Sequence, residues 1–385
     1  MYPLSKGKVT PQAHVGIPEG TYEEEHARKG FFGKTSHLYR KHRPTDWTRI
    51  EGPLRPHAYY LSELAPSDAS DAMRGEPVTV LYNDDVALKV SRLAEPMPYY
   101  FRNADGDDVY FVHQGEGVIE TDFGPLDFER GDYVVIPRGT TYRVVPRTQD
   151  NFFLIIESKG EIEIPDRGQL GPNAVFDRGV LVTPEPAPIL EEAAGADESR
   201  EYEVRIKRLG EYTSVFYPFN PMDVVGWKGD LTAFKLNVRD IRPIMSHRYH
   251  LPPSVHTTFL GGNFVICTFV PRPFESEPEA MRVPFYHRNI DYDEVLFYHD
   301  GDFFSRQHIK PGMLTLHPQG IHHGPHPKAA SKVAELEKTD EIAVMVDTRY
   351  PLKIAKAAEG VEWADYVNSW KPEAAPAKTT TEAAR

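Results

Sequence analysis

Short apolar runs separated by turn residues recur along most of the chain. Between about residues 75 and 160 they come roughly every 8–12 residues, as in VTVLY, DVYFVH, DYVVIP and NFFLIIES. A second series, which includes NFVICTFV and EIAVMVDT, covers residues 231–350. Strand-length runs at this spacing, bounded by Gly, Pro, Asn and Asp, are typical of antiparallel sandwiches and barrels. We therefore expect a mainly β fold with few short helices.

The same pattern divides the chain into five segments. Residues 1–50 carry many charges and no sustained periodicity, which predicts an extended arm. Pro, Gly and acidic residues are frequent just after residue 160, as expected of a connector. The predicted segments are an N-terminal arm (1–50), a first β module (51–160), a connector with packing strands (161–230), a second β module (231–370) and a disordered tail (371–385).

Length, charge and cysteine content exclude several classes of protein. At 385 residues the chain is too long for a single hydrophobic core to be expected. Its 57 acidic and 44 basic side chains give a net charge of −13 without a long basic run, so we expect no nucleic-acid partner. The sequence has no signal-like or membrane-spanning apolar stretch and one cysteine, Cys267. We therefore expect a cytoplasmic protein without disulfides or membrane contact.

One stretch of sequence occurs twice. Phe101–Gly115 (FRNADGDDVYFVHQG) and His287–Gly301 (HRNIDYDEVLFYHDG) share eight of fifteen positions without a gap. Further along, G-x5-P-x-G-x2-Y at 131–142 matches G-x5-P-x-G-x2-H at 312–323. The chain is therefore expected to contain one module in two copies.

These paired blocks resemble the two motifs of the cupin superfamily, whose modules are small jelly-roll β-barrels with a metal site at the mouth. The resemblance implies that His287, Glu294 and His323 are the metal ligands of the second module. The corresponding positions of the first module have lost both imidazoles and are Phe101, Asp108 and Tyr142. Only the second copy is therefore expected to hold a metal.

The expected ligand set is smaller than that of most cupins. Asn289 stands where cupins commonly have a second histidine in the first motif. Two imidazoles and one carboxylate remain, a set that suits Fe(II) and leaves adjacent positions open for substrate and O2. Zinc is the alternative, although a structural zinc site would use four protein ligands.

The second module also resembles the C-terminal barrel of homogentisate 1,2-dioxygenases. The resemblance lies in FYHRN, in LHPQGIHHGPHP and in the segment His250-Leu-Pro-Pro-Ser. It implies an Fe(II) enzyme that uses O2 to open homogentisate, an aromatic acid of tyrosine and phenylalanine catabolism, to maleylacetoacetate. It also implies that His250 moves the proton of the distal ring hydroxyl, a role for which His247 and His256 are alternatives.

The expected substrate contacts lie near the metal ligands in sequence. They are His323, His317, Phe303 and Arg288, with Arg306 as an alternative partner of the substrate carboxylate. Phe303 stands where the family has a substrate-contacting tyrosine, and the gap between His287 and Glu294 is one residue longer than in the animal enzymes. Gentisate, hydroquinone or another dihydroxybenzene is therefore an alternative substrate, and a non-catalytic bicupin binding protein is a further alternative. The arm and the assembly of the relatives imply a homo-oligomer.

Overall fold

The computed structural model describes residues 4–72, 75–187, 201–327, 333 and 335–371. Within these residues there are 22 strands, one short α-helix, α1 (Lys356–Glu359), and seven 3-10 helices of three or four residues. The predicted mainly β fold is therefore confirmed. Residues 372–385, which make up almost all of the predicted tail, lie outside the described residues. None of the described helices has the length and apolar character needed to cross a membrane.

Twelve strands come from the first 160 residues. They are β1 (Tyr22–Ala27), β2 (Thr35–Arg40), β3 (His57–Tyr60), β4 (Val78–Tyr82), β5 (Val86–Ser91), β6 (Tyr100–Asn103), β7 (Asp107–Gln114), β8 (Gly117–Thr121), β9 (Gly124–Phe128), β10 (Asp132–Ile136), β11 (Thr141–Pro146) and β12 (Phe152–Ser158).

The other ten strands lie beyond residue 200. They are β13 (Tyr202–Arg208), β14 (Glu211–Tyr217), β15 (Phe234–Asn237), β16 (Thr257–Leu260), β17 (Phe264–Phe269), β18 (Tyr286–Asn289), β19 (Asp293–Asp302), β20 (Met313–His317), β21 (Asp340–Thr348) and β22 (Lys353–Ile354). The 3-10 helices are Leu61–Glu63, Ser67–Ala69, Gly168–Leu170, Arg178–Val180, Val238–Asp240, Pro253–His256 and Tyr366–Asn368.

Four sheets build the two modules. The first module combines a seven-stranded sheet (β15-β10-β7-β12-β5-β4-β22) with a six-stranded one (β14-β13-β6-β11-β8-β9). The second combines a six-stranded sheet (β16-β17-β21-β19-β20-β3) with a three-stranded one (β18-β1-β2). Buried and exposed residues alternate strictly in β9, as expected of a strand with one face on the core.

The two modules exchange edge strands across the predicted boundaries. Strand β3, from the range predicted for the first module, pairs antiparallel with β20 of the second. Strand β15, from the range predicted for the second module, pairs with β10 of the first, and β22 pairs with β4. Each sheet is therefore completed by a distant part of the chain.

Aromatic rings and two histidines join the modules. Phe111 and Phe297 occupy equivalent positions in the two copies of the repeat, and their ring centroids are 6.1 Å apart. His113 and His299 occupy equivalent places in the two copies, and their Nδ1 atoms are 2.9 Å apart. Burial lowers the pKa of His113 to about 4 and that of His299 to about 3. Both imidazoles are therefore neutral near pH 7 and share one hydrogen bond.

The N-terminal arm packs on the second module of the same chain. Strand β1 pairs in parallel with β18, so that Glu25 stands opposite His287, and pairs antiparallel with β2. The ring of Phe31 lies 5.3 Å from that of His287. Because the arm is already paired within its own chain, it gives no separate support for the homo-oligomer, which stays a prediction.

Candidate metal centre

Two strands and one loop bring the predicted ligands together. His287 lies on β18, Glu294 lies near the start of β19, and His323 follows β20 in a loop. The backbones of His287 and His323 exchange two hydrogen bonds, of 3.0 and 3.1 Å, in an isolated bridge. This bridge fixes the two imidazoles side by side, with ring centroids 4.0 Å apart.

The donor atoms of the three residues converge. Oε2 of Glu294 lies 3.3 Å from Nε2 of His287 and 3.3 Å from Nε2 of His323, and all three residues are buried. Neighbouring donors around an ion with bonds of about 2.1 Å are about 3.0 to 3.4 Å apart. The spacing therefore fits a divalent metal, and the donor set of two imidazoles and one carboxylate is the one used by non-haem Fe(II).

Hydrogen bonds orient the ligands. Nδ1 of His287 donates to the carbonyl of Phe285 at 3.2 Å, which leaves the Nε2 lone pair free for a metal. Oε1 of Glu294 accepts a hydrogen bond of 2.8 Å from Nδ1 of His317. The hydroxyl of Tyr366 lies 3.0 Å from the other nitrogen of His317. The carboxylate is therefore held at one oxygen and free at the other.

The titration of these groups favours metal binding. Burial works against the charge of Glu294, but the surrounding histidines hold its pKa well below the usual value. Burial lowers the pKa of His317 to about 3 and that of His323 to about 4. Glu294 is therefore an anion and the imidazole of His323 is neutral near pH 7, which are the states that bind a metal.

A cavity opens beside His287 and Glu294. It has about 630 Å³ of space, its open mouth included. Its walls combine aromatic and aliphatic side chains with imidazole, guanidinium and carboxylate groups. The lining includes Phe269, Phe285, Phe304, Met345, His250, His256, Arg272, Arg306 and Glu341. A concave apolar site with a few polar groups is typical of a small-molecule site.

His250 lines this cavity and has one ring nitrogen without a hydrogen-bond partner among the described residues. Its Nδ1 donates to Oε1 of Glu275 at 3.0 Å, and Oε2 of Glu275 accepts from the backbone of Val283 at 3.1 Å. Nε2 of His250 is buried and has no hydrogen-bond partner among the described residues. Burial lowers the pKa of His250, so the imidazole is neutral near pH 7 and its free nitrogen can accept a proton.

The two alternatives to His250 differ from it. His247 is exposed and does not line the cavity. His256 lines the cavity, and burial drives its pKa well below the usual value. Its ring packs edge-on against Phe269 with centroids 5.3 Å apart. His250 differs in having a carboxylate partner that could stabilise a proton on the ring.

Two arginines give the cavity positive charge. Nη1 of Arg272 is buried without a hydrogen-bond partner among the described residues. Arg306 donates to the carbonyl of Gly324 at 2.8 Å, and its Nε has no such partner either. Burial raises the pKa of Glu341 to about 7 despite the two nearby guanidinium charges. These unpartnered donors can bind an anionic group.

None of the four predicted substrate contacts belongs to the cavity lining, whereas the alternative, Arg306, does. Arg288 donates to Nδ1 of His26 in the arm, at 3.1 Å and 2.9 Å, rather than facing the ligands. Phe303 packs against Tyr298 with ring centroids 4.8 Å apart, in an aromatic cluster that includes Trp370. His317 is fully buried behind Glu294. His323, also a predicted contact, is 1% exposed and is itself one of the three converging residues.

Several residues of the site carry no sequence signal. Glu275, Arg272 and Glu341 lie outside the repeated blocks, and only the fold brings them to the cavity.

In the first module, the positions that correspond to the three converging residues hold a different hydrogen-bond network. The hydroxyl of Tyr142 donates to Asp108 at 3.1 Å, and burial raises the pKa of Asp108 to about 6.

Two family profiles match the two halves of the chain. The family profile described as homogentisate 1,2-dioxygenase N-terminal matches residues 72–238, and the one described as homogentisate 1,2-dioxygenase C-terminal matches residues 251–375. A cupin 2 conserved barrel domain protein from Leptotrichia buccalis, known as a solved structure, covers 71% of this chain and 89% of its own at 12% identity, with a TM-score of 0.32.

Two curated relatives illustrate the sequence similarity. A candidate dioxygenase of Saccharolobus solfataricus is 36% identical over 372 residues, which cover 90% of this chain and 92% of that protein. The homogentisate 1,2-dioxygenase of Bradyrhizobium diazoefficiens is 28% identical over 71% of this chain but only 62% of that enzyme. The two family profiles and the 36% identical relative show that the chain belongs to the homogentisate 1,2-dioxygenase family.

Proposed function

We propose that this protein is an Fe(II)-dependent ring-cleaving dioxygenase that converts homogentisate and O2 to maleylacetoacetate. The observation that carries the proposal is the buried cluster of His287, Glu294 and His323 beside a cavity with an unpaired imidazole and two arginines. When bound, iron would supply open coordination positions for the substrate oxygens and O2, and the redox chemistry of O2 activation. The homogentisate-specific part of the proposal rests on the family and on the charge of the cavity.

His250 is the proposed acid/base. Its Nε2 faces the cavity as an acceptor, so it can take the proton of a ring hydroxyl when the substrate binds. The carboxylate of Glu275 would then stabilise the imidazolium through the hydrogen bond at Nδ1. After ring opening the same proton can return to the product.

Arg272 and Arg306 are the proposed partners of the substrate carboxylate. Both line the cavity and both carry nitrogen atoms without a hydrogen-bond partner among the described residues. Charged hydrogen bonds of this kind in a dry site favour an aromatic acid over a neutral phenol. The rings of Phe285 and Phe304 supply an apolar wall that excludes water from the reacting ring.

A related dihydroxybenzene is the second candidate substrate. Phe303 lies in the aromatic cluster and so supplies no contact in place of the family's tyrosine. The relative from Saccharolobus solfataricus is described as a dioxygenase without a substrate. Gentisate and hydroquinone are therefore the substrates to compare with homogentisate. A non-catalytic bicupin binding protein is disfavoured because the ligand set of the second module is complete and converges.

The test is O2 consumption by the purified protein after anaerobic loading with Fe(II). Homogentisate, gentisate and hydroquinone are offered separately, and ring opening is followed by absorbance. We expect turnover of homogentisate, its loss in His323→Ala, and a decrease of about 10²- to 10⁴-fold in His250→Ala. His247→Ala, a change at an exposed histidine of the same segment, is the control and should retain activity. Absence of O2 uptake with all three compounds by iron-loaded protein would contradict the proposal.

A further inference from the structure

We propose that the N-terminal arm carries a second metal site, in which His14, Glu23 and His37 bind a divalent transition-metal ion such as Zn²⁺. Glu25 would accept a hydrogen bond from the second ring nitrogen of His14 and so fix the orientation of that ring. This site is separate from the cluster at His287 and does not depend on the proposed ring-cleaving activity.

The arm brings these four side chains together through ordinary strand geometry. Glu23 and Glu25 are two residues apart on β1, so their side chains emerge on the same face. His37 on β2 stands directly opposite Glu25 in the antiparallel register. His14 precedes β1 in a left-handed conformation, with φ of 65°, and its backbone N–H donates to both carboxylate oxygens of Glu23 at 3.1 and 3.3 Å.

The distances suit a small cation. Single donor atoms of His14, Glu23 and His37 all lie within 4.8 Å of one another. Nδ1 of His14 is 2.6 Å from Oε1 of Glu23. A tetrahedral ion with bonds of about 2.0–2.1 Å separates its donors by about 3.3 Å, which is shorter than the 4.8 Å limit within which these donors lie. Small side-chain adjustments would therefore place the three donors around one ion.

The outer partner of His14 is also in place. Nε2 of His14 lies 3.3 Å from Oε2 of Glu25. A metal-binding histidine usually donates its second N–H to a carboxylate, which fixes the ring and strengthens the ligand. Glu25 fits this role because it faces the nitrogen opposite the one that points to Glu23.

Unpartnered buried atoms point into the same space. Nδ1 of His14, Oε2 of Glu25 and Nε2 of His37 have no hydrogen bond of acceptable geometry. His14 and Glu25 are each only 5% exposed. Their nearest charged neighbours belong to the same cluster, at 2.6 to 3.9 Å, so an ion bound among them would supply the partners that ideal hydrogen-bond geometry does not.

The charges around the cluster favour a cation. Glu23 and Glu25 are two buried carboxylates. Among the residues that the structure describes, neither forms an ion pair with a lysine or arginine, and their charged partners are His14 and His37. A divalent ion would neutralise both carboxylates without requiring protonated imidazoles. The competing interpretation is a metal-free network in which His14 carries a proton between the two glutamates.

The site lies against the wall of the catalytic cavity. The ring of His14 is 5.6 Å from the ring of His250 and 5.6 Å from that of Phe285, both of which line the cavity. Glu25 is also the register partner of His287 across β1 and β18. An ion held here would fasten the segment before β1, β1 and β2 to one another, beside the strand that carries His287.

Metal content per chain, measured by mass spectrometry after growth with added zinc, tests the proposal. We expect about two metal ions per chain in the wild type and about one in Glu23→Gln and in His37→Ala. His323→Ala should also retain about one, because it disrupts only the other site. His42→Ala is the matched control, since His42 is an exposed histidine of the same arm, and it should retain two.

A second measurement covers variants that fail to fold. Zn²⁺ is titrated into metal-stripped, full-length His323→Ala protein in competition with a chromophoric chelator. We expect one stoichiometric binding event, weakened about 10- to 100-fold by adding Glu25→Gln and abolished by adding Glu23→Gln. No zinc binding by the His323→Ala protein, or a wild-type content of one ion that the arm variants leave unchanged, would overturn the proposal and indicate the metal-free network. Either result leaves the test of ring cleavage unaffected.

Discussion

Replacing Glu275 by glutamine tests whether His250 is the base. The change keeps the size of the side chain and an acceptor for Nδ1 of His250, which now lies 3.0 Å from Oε1, but removes the negative charge. A hydrogen bond to a charged group contributes about 1.5–3 kcal/mol. If the imidazole is protonated in the transition state, losing that interaction should lower kcat by about 10- to 150-fold, with a smaller change in KM.

The pH dependence supplies an independent readout. Burial lowers the pKa of His250 and Glu275 opposes that effect, while the charges of His14 and Arg272 act in the same direction as burial. Removing the carboxylate should therefore lower the pKa further. The acid limb of kcat/KM should move to lower pH in Glu275→Gln, because the neutral base persists to more acidic conditions.

O2 uptake across a pH series, measured with saturating and with limiting substrate, separates the decrease in kcat from the shift of the acid limb of kcat/KM. Glu279→Gln, at an exposed glutamate of the same segment, is the control and should match the wild type. A Glu275→Gln enzyme with unchanged kcat and an unchanged acid limb would refute the assignment of His250 as the base. Loss of activity with an unmoved acid limb would point to a purely structural role for Glu275.

Three further predictions concern the metal centre, its cavity and the histidine pair that joins the two modules. His317→Phe should weaken Fe(II) binding about 10- to 100-fold in a chelator competition, because it removes the hydrogen bond that holds Oε1 of Glu294; unchanged affinity would argue against that role. Arg272→Met should raise KM for homogentisate about 10-fold or more and leave KM for hydroquinone, which has no carboxylate, nearly unchanged; equal effects on both would exclude a carboxylate contact. The buried pair of His113 and His299, with pKa values of about 4 and about 3, stays neutral when folded, whereas the unfolded chain takes up protons below about pH 6.5. The free energy of unfolding, measured in urea, should therefore fall as pH drops from about 6.5 to 4, and a His113→Phe/His299→Phe variant should show a weaker dependence.

The convergence of His287, Glu294 and His323 could be predicted from sequence because these residues lie in a repeated local motif. His287 and Glu294 occupy two neighbouring strands joined by a short turn, and His323 follows a turn motif of fixed spacing, so sequence spacing determines geometry. The same geometry explains why Arg288 does not face the cavity. Arg288 directly follows His287 on β18, and adjacent strand residues face opposite sides, so its side chain points to the arm.

Other contacts depend on register and on distant segments. Strand β19 has an irregularity between Tyr298 and Asp300, and Phe303 lies beyond its end, so counting residues from Glu294 could not place that ring. Glu275 and Arg272 come from an extended segment without a motif. Their positions follow from how that segment crosses the second module, which sequence patterns alone do not determine.

The exchange of edge strands has a consequence for biosynthesis. Strand β3 leaves the ribosome some 250 residues before its partner β20, and the sheet that contains β4 is completed only by β22 near residue 354. Neither barrel can close while the nascent chain is incomplete, so a truncated polypeptide ending at the connector would lack strands of both. Because β3 completes the sheet that contains β19, removing the first part of the chain would also remove a strand from the sheet that carries Glu294.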